Sequence, residues 1–143
     1  KNLKKYKIKG KSIFDVWKMT LDEAIDFFED IDKSITKVCI TASEIMLGHL
    51  QIGQATATLS GGENIRIKIM KASKSTAKVI GVDEPFKGLS NIEIDAVANY
   101  LNRIREKGKT LIVIDHSTGV EDYFSQWIQI ENIDNRLIGK QFK

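Results

Sequence analysis

The stretch Val79-Ile80-Gly81-Val82-Asp83-Glu84-Pro85 decides the fold, because it joins an apolar run to two adjacent acids and a proline. An apolar run of this length predicts a buried strand. Open α/β sheets bind their ligands beyond the carboxyl ends of the strands, which is where Asp83 and Glu84 lie. A carboxylate there can hold Mg²⁺, and a second can orient or deprotonate an attacking water. The alternative is an acidic turn with no ligand.

The residues that follow this stretch predict a helix and a second strand. Ser90-Asn91-Ile92-Glu93 is a capping box, the arrangement that begins many helices, and we expect the helix to continue to Gly108. Thr110-Leu111-Ile112-Val113-Ile114 predicts another buried strand. Two apolar strands that flank one helix form a βαβ unit with a parallel sheet. The predicted fold class is therefore α/β.

A histidine follows the second strand. Asp115 and His116 come directly after Ile114. Since neighbouring parallel strands end at the same edge of a sheet, we expect His116 to lie beside Asp83 and Glu84. A histidine at that place can donate to a terminal phosphate or position the water. The alternative is a loop residue with no role.

A glycine-containing motif lies upstream of these strands. Leu59-Ser60-Gly61-Gly62-Glu63 includes a second capping box and predicts a helix to about Ser73. The start of a helix has unpaired amides and a positive dipole end, so it suits an anion. The two glycines let a phosphate approach the backbone closely. The alternative is a plain capped helix.

The first half of the chain predicts two further helices. Thr20-Leu21-Asp22-Glu23 is a capping box, and a short helix to about Glu29 should follow it. Apolar residues at helical spacing predict an amphipathic helix from about Ile31 to about Leu47, with Gly48 ending it.

Short strands are expected near both ends of the chain. Tyr6-Lys7-Ile8-Lys9 alternates in the manner of a strand, and Trp127–Ile130 and Arg136–Ile138 predict edge strands. We divide the chain into a basic N-terminal segment with the helical part of a subdomain at residues 1–55 and an α/β part at residues 56–143.

The composition is that of an ordinary globular protein. Of 143 residues, 42% are hydrophobic and 29% are charged, and the formal charge of +3 permits contact with nucleic acid without arguing for it. No apolar run approaches the ~18 residues that span a bilayer, and the basic first residues do not form a signal peptide. The single cysteine, Cys39, cannot form an internal disulfide, so a cytoplasmic setting is expected. The first residue is Lys1, which suggests a piece of a longer protein.

Together these motifs resemble the C-terminal portion of an ABC-type ATPase domain. Leu59–Glu63 looks like the signature motif of that family, Val79–Glu84 like Walker B with its catalytic glutamate, and His116 like the switch histidine. Gly88-Leu89-Ser90 falls where the family has its D-loop. The resemblance implies a partial P-loop NTPase fold with a parallel sheet and an N-terminal helical signature subdomain.

The resemblance is closer to one branch, the UvrA family, which includes the damage-recognition subunit of the bacterial excinuclease. It covers the chain from about Lys9 to Ile130. Transporter ATPases lack the first of the matching stretches, which are Lys9–Val16, Met19–Ala24, Phe27-Phe28 and Leu50–Leu59. The chain departs from the family pattern at Ile65, Phe86, Lys87, Ser90 and Glu131–Asn135.

A P-loop and zinc-binding cysteines are family features that this sequence lacks. Gly10-Lys11-Ser12 imitates the end of a P-loop, but the first glycine would have to be Lys5 and no apolar strand precedes it. We therefore interpret this triplet as unrelated to phosphate binding. In the family both features lie upstream of the matching region. We expect a fragment of the second nucleotide-binding domain, with zinc only upstream.

The resemblance implies ATP hydrolysis coupled to DNA damage recognition in nucleotide excision repair, with ATP and Mg²⁺ as cofactors. In the whole protein Glu84 would polarise water, His116 would sense the γ-phosphate, and Asp83 would help to hold Mg²⁺. The isolated chain should bind ATP weakly and hydrolyse none. The partners would be the P-loop-bearing remainder of the same ATPase, a second nucleotide-binding domain and DNA. No membrane is involved.

The nucleotide-binding residues would act across two domains. The signature of one nucleotide-binding domain in this family caps the ATP that the P-loop of another domain holds. By the resemblance, the residues that would contact nucleotide are Ser60, Gly61, Gly62 and Glu63 of the signature with Gly88, Leu89 and Ser90 of the D-loop.

Two other functions stay open. A diverged UvrA paralogue would serve another task, such as self-protection against a DNA-binding drug, and the departures after Pro85 favour it. A non-catalytic interaction module would retain only the shape of an ATPase, but the presence of Asp83, Glu84 and His116 argues against it. The basic first nineteen residues either touch DNA phosphates or form a solvated charged face, and we favour the solvated face.

Overall fold

The protein's structure, a computed structural model, describes residues 3–133 and 136–142. The helices are α1 (Ile13–Trp17), α2 (Leu21–Phe28), α3 (Lys33–Glu44), α4 (Gly61–Ser73) and α5 (Asn91–Glu106). The strands are β1 (Lys7–Ile8), β2 (Lys11–Ser12), β3 (Val79–Asp83), β4 (Thr110–Ile114), β5 (Trp127–Ile133) and β6 (Arg136–Phe142). The strands pair as β1 with β2, β3 with β4, and β5 with β6.

The elements β3, α5 and β4 form the predicted βαβ unit. The two strands are parallel, and they pair in register from Val79 opposite Thr110 to Asp83 opposite Ile114. Helix α5 begins after Ser90, and the chain turns beyond its end at Gly108, whose φ of +85° suits a residue without a side chain. This register brings the carboxyl ends of both strands to one edge of the sheet.

The two parallel strands are buried on one face only. Ile80 and Val82 of β3 lie in the core against α4 and α5. On the other face the apolar side chains that are more than half exposed are Val79, Ile112 and Ile114. The prediction of fully buried strands is wrong for that face, because within the described residues nothing packs against it. Parallel sheets are ordinarily covered on both faces.

Helix α2 begins where the sequence predicts and α3 begins two residues later than predicted and ends early, while α1 was not predicted. Thr20 and Glu23 form the predicted capping box of α2. Helix α3 stops at Glu44, three residues before the predicted end, and Met46 takes a left-handed conformation with φ +60°. The Leu47 amide donates to the Ala42 carbonyl at 2.9 Å, which closes the helix end as glycine usually does.

Gly48 has a different role from the predicted one. Its carbonyl accepts from the Asp22 amide at 3.0 Å, so it joins the end of the α3 segment to the first turn of α2. A Cβ at Gly48 would overlap the Asp22 carboxylate. The glycine is therefore explained by close approach between two segments, which no local pattern reveals.

One apolar core runs through both halves of the described chain. Ala42, Ile45, Leu47 and Leu50 belong to the same buried cluster as the residues of α4, β3 and α5. Arg103 of α5 also forms a bidentate ion pair with Glu44 of α3, at 3.0 and 3.1 Å. The division of the chain at residue 55 stays a prediction.

The two strands predicted near the C-terminus pair with each other. β5 and β6 form an antiparallel hairpin, with Trp127 opposite Phe142 and their rings stacked at 4.2 Å between centroids. They do not add to the edge of the parallel sheet. Part of the predicted departure Glu131–Asn135 lies outside the described residues, because residues 134 and 135 are not described.

Candidate functional site

Asp83 and Glu84, which the sequence predicts to be a Walker B pair, lie at the end of β3, beside the end of β4. Asp83 is the last residue of β3, is exposed, and pairs in register with Ile114. Glu84 leaves the strand with φ +48°, and its amide donates to the Ile114 carbonyl at 2.7 Å. Few non-glycine residues take such a backbone angle, and they cluster at functional sites. The turn directs the chain away from the sheet directly after the second acid.

The loop after the acids is held by burial. Pro85 and Phe86 are fully buried, and the Phe86 ring makes an edge contact with Phe124 at 6.2 Å between centroids. Gly88 then reverses the chain with φ +71°, a conformation that glycine adopts without strain. The loop backbone is therefore well fixed between β3 and α5, although it lies beside solvent.

Asp115 makes the direct side-chain connection between the two strand ends, and sequence reasoning assigned it no role. Its carboxylate accepts from the Phe86 amide at 2.9 Å and from the Ser117 amide at 2.7 Å. Burial acts to raise the pKa of Asp115, but the hydrogen bonds from Ser117, Phe86 and His116 outweigh it and lower the pKa. The residue stays ionised near neutrality. An acid next to the histidine was the only available signal.

His116 lies where the strand register implies, at the carboxyl end of β4. It is two residues beyond Ile114 and its side chain is exposed. Glu84 is hydrogen-bonded to Ile114, so the histidine and the two acids belong to the same sheet edge. The backbone therefore brings His116 and the two acids to neighbouring positions. The hydrogen bond between the loops that follow β3 and β4 is made by Asp115.

Lys87 forms an ion pair with the candidate catalytic glutamate. Its Nζ lies 2.6 Å from Glu84 Oε2, three residues earlier in the loop. The hydrogen bond to Glu84 is the main cause that raises the pKa of Lys87, and the charges of Asp83 and Asp115 add to it. The sequence shows Lys87 only as a departure from the family pattern.

The signature residues form the predicted start of α4. The Ser60 hydroxyl accepts from the Glu63 amide at 3.2 Å, and the Glu63 carboxylate accepts from the Ser60 amide at 2.7 Å. His49 Nε2 lies 2.9 Å from the other Glu63 oxygen. The Ser60 amide and His49 hold the pKa of Glu63 below its usual value. Glu63 is therefore a capping residue here, while Gly61 faces open space.

The signature helix and the D-loop lie against each other. A Cβ on Gly62 would meet Leu89 Cδ2 at 3.4 Å, an ordinary contact distance. The Glu93 carboxylate accepts from the amide and the hydroxyl of Ser90 at 3.0 and 2.9 Å, and from Arg66 of α4 at 3.0 Å. These bonds, that of the Ser90 amide first, lower the pKa of Glu93 to about 2. One carboxylate thus joins both motifs.

Part of the basic N-terminal segment is used within the chain. Lys9 Nζ donates to the Phe27 carbonyl at 3.1 Å and lies 3.6 Å from an Asp30 carboxylate oxygen. The turn Lys9-Gly10, in which both residues have positive φ, joins β1 to β2. Gly10-Lys11-Ser12 therefore belongs to a β-turn and strand, as its interpretation as an unrelated triplet requires.

The residues at the sheet edge are compatible with Mg²⁺ and a nucleotide. Mg²⁺ is usually held by one or two carboxylates together with substrate phosphates and waters. Asp83 offers one exposed carboxylate of this kind, and the described residues include no cluster of three His, Cys, Asp or Glu side chains that would bind a metal alone. Within the described chain no helix has the length and apolar character needed to cross a membrane.

Comparison with known proteins identifies relatives over most of the chain. No protein-family model matches it. UvrABC system protein A of Rickettsia bellii is 41% identical over 117 residues, which are 80% of this chain and 12% of that protein. The protein of the same name from Staphylococcus epidermidis is 42% identical over 115 residues, or 78% of this chain and 12% of that protein. The chain thus spans about an eighth of the length of these relatives.

Solved structures agree with the sequence relatives. The crystal structure of UvrA2 from Deinococcus radiodurans superposes with a TM-score of 0.84 at 31% identity, covering 97% of this chain and 18% of that one. MJ1267, an ATP-binding cassette of an ABC transporter, superposes with a TM-score of 0.55 at 18% identity, covering 88% of this chain and 56% of that one, and shows the shared fold. With the capped helix α4, the parallel βαβ unit and the acid pair at its edge, these matches show that the chain belongs to the UvrA family and has the fold of an ATP-binding cassette.

Proposed function

We propose that this chain supplies the signature, Walker B, D-loop and switch histidine of a UvrA-like nucleotide-binding domain. The whole protein would couple ATP hydrolysis to DNA damage recognition in nucleotide excision repair, in the cytoplasm. The hydrogen bond from the Glu84 amide to the Ile114 carbonyl carries this proposal. It brings the acid pair and His116 to one sheet edge, beyond the carboxyl ends of the strands, where open α/β sheets bind their ligands.

Each residue at this edge has a separate task. Bound ATP and Mg²⁺ supply the phosphoryl group and neutralise its charge. Glu84 orients the attacking water and accepts its proton. Asp83 would provide an oxygen ligand for the metal, and His116 would donate to the terminal phosphate. Asp115 positions His116 relative to the acids, because it accepts hydrogen bonds from the loops on both sides.

The signature acts on a different nucleotide from the one beside Glu84. Ser60, Gly61 and Gly62 stand at the start of α4, where free amides and the helix dipole favour a phosphate of the opposite domain. The pair of Arg66 with Glu93, which also accepts from Ser90, connects this position to the D-loop. Nucleotide binding at the start of α4 would thereby affect the D-loop, which follows Glu84 at the other site.

The test uses the assembled ATPase, meaning this chain together with the P-loop-bearing remainder. We expect ATP turnover that Glu84→Gln lowers by a factor of about a hundred or more, because a positioned base contributes about that much. Glu106→Gln, at the exposed end of α5, is the matched control and should leave turnover unchanged. Equal turnover by the two variants would exclude Glu84 as the base.

The link to DNA repair has its own test. The assembled protein should restore ultraviolet survival in a bacterial strain that lacks its UvrA, and Glu84→Gln should abolish the rescue. An assembled protein that hydrolyses ATP but restores no survival would favour the paralogue with another task. Hydrolysis by the isolated chain that Glu84→Gln abolishes would contradict the need for a P-loop-bearing partner.

A further inference from the structure

The ion pair of Lys87 with Glu84 lies in a loop whose backbone is fixed and whose charged side chains are not. Pro85 and Phe86 are fully buried, and the Lys87 amide faces the Glu84 carbonyl at 3.4 Å across a turn. The Lys87 side chain, in contrast, is 69% exposed, and that of Glu84 is 33% exposed. The ammonium can therefore move on its flexible stem without any change in the loop.

The surroundings of Lys87 are strongly acidic. Asp83, Glu84 and Asp115 all lie within electrostatic reach of the ammonium. In the described ranges, Lys87 is the only lysine or arginine that hydrogen-bonds to any of these carboxylates. A nucleotide that approaches this edge brings further negative charge, so a mobile cation here reduces the repulsion.

The pair itself is weak enough to be exchanged. An ion pair between exposed side chains contributes between zero and about 1 kcal/mol. A terminal phosphate carries more negative charge than one carboxylate and offers three acceptor oxygens. Lysine is a compact charge with three donors, which suits such a group. While the ammonium stays on Glu84, however, it occupies one of the oxygens needed to orient water.

We propose that the Lys87 ammonium moves from Glu84 to the terminal phosphate when the nucleotide binds. This change of partner both strengthens binding of the triphosphate and releases the Glu84 carboxylate for the water. This inference rests on the proposed function, because it requires that the nucleotide bind at this edge. It adds a phosphate-binding residue and a reason for the Glu84–Lys87 contact. No covalent bond changes in the exchange.

The experiment measures binding, so hydrolysis does not enter it. In the assembled ATPase, Lys87→Met keeps the length of the side chain and removes its charge. We expect it to weaken binding of a non-hydrolysable ATP analogue by about fivefold, the upper end for one exposed charged contact, and to change ADP binding less than about twofold. Lys87→Arg should restore most of the affinity. Lys37→Met, at an exposed position of α3, is the control and should change neither affinity.

A double-variant comparison tests the exchange itself. Glu84→Gln removes the competing carboxylate, so it should tighten binding of the analogue when Lys87 is present. In a protein that also carries Lys87→Met, it should have little effect on that binding. Equal tightening in both backgrounds would overturn the exchange, as would equal weakening of the ATP analogue and ADP by Lys87→Met. If the unaltered assembly binds neither nucleotide, the proposed function itself fails, an outcome distinct from an assembly that binds the analogue with no dependence on Lys87.

Discussion

Arg66 of α4 and Glu93 of α5 form a partly buried ion pair that joins two motifs far apart in sequence. Arg66 Nη1 lies 3.0 Å from Glu93 Oε1, across 27 residues of chain. The Arg66 side chain is 5% exposed, and its Nε has no hydrogen-bond partner among the residues that the structure describes. Since Glu93 also accepts from the Ser90 amide and hydroxyl, one carboxylate connects α4 to the residue that precedes α5.

Arg66→Met should lower the free energy of unfolding by about 2 kcal/mol, because it removes a hydrogen bond to a charged group and leaves Glu93 with Ser90 alone. Urea unfolding of the chain measures this change. Arg103→Met removes the exposed pair with Glu44 and should cost less than about 1 kcal/mol. Equal losses in the two variants would contradict the importance of burial at Arg66.

The stability of the chain should fall in acid partly through Glu93. Its pKa is about 2 in the folded chain, below the ordinary 4.5, because the Ser90 amide, Arg66 and the Ser90 hydroxyl stabilise the carboxylate. A depressed folded pKa gives stability that is full above about pH 4.5 and is lost as the pH falls towards 2. The free energy of unfolding should therefore depend less steeply on pH in this range for Glu93→Gln than for the unaltered chain. An equally steep dependence in both proteins would refute the assignment.

Asp115→Ala should loosen the connection between the two strand ends. The change leaves the Phe86 and Ser117 amides without their acceptor, and we expect a loss of about 2 kcal/mol. Hydrogen exchange should become faster at these two amides in particular. Asp122→Ala, at an exposed acid nearby in sequence, is the control and should change neither quantity. Unchanged exchange at Phe86 would contradict a positioning role for Asp115.

Gly53→Ala should disturb the packing of Trp17. A Cβ at Gly53 would overlap the indole ring, which must move for the variant to fold. We expect the free energy of unfolding to fall by about 1–3 kcal/mol and the tryptophan fluorescence to shift. The spectrum is recorded in a protein that also carries Trp127→Phe, so that Trp17 is the one tryptophan left. Gly81→Ala has no atom near its Cβ and should be tolerated. An unshifted Trp17 spectrum would show that the ring already has room.

Much of the fold follows from local chemistry and was predicted from the sequence. The capping boxes at Thr20, Ser60 and Ser90 begin α2, α4 and α5, because each one satisfies helix amides with side chains three residues apart. The parallel pairing of β3 with β4 was also predicted, since two apolar strands with one intervening helix have few other arrangements. The family resemblance rested on the same motifs.

Other features escaped prediction because they depend on backbone conformations or on partners that no local pattern reveals. Helix α3 ends at Glu44, and the left-handed Met46 beyond it lets the Leu47 amide donate to the Ala42 carbonyl, so the expected glycine was unnecessary. Asp115 has its role only because the Phe86 amide, 29 residues earlier, is brought to it. Likewise the Glu84–Lys87 ion pair requires the left-handed turn at Glu84. Glutamate seldom takes that conformation, so the sequence does not predict the turn.

The sequence by itself determined the kinds of residue at the candidate site and their order: a capped glycine signature, an acid pair after an apolar strand and a histidine after the next strand. Periodicity and capping depend on residues close together in the chain, so they can be recognised from the sequence directly. Tertiary structure alone decided which distant groups bond, namely Glu93 to Arg66 and Asp115 to Phe86. The first contact arises from the packing of α4 and α5 in one core and the second from the parallel pairing of β3 with β4, which bring residues 27 and 29 positions apart within hydrogen-bonding distance.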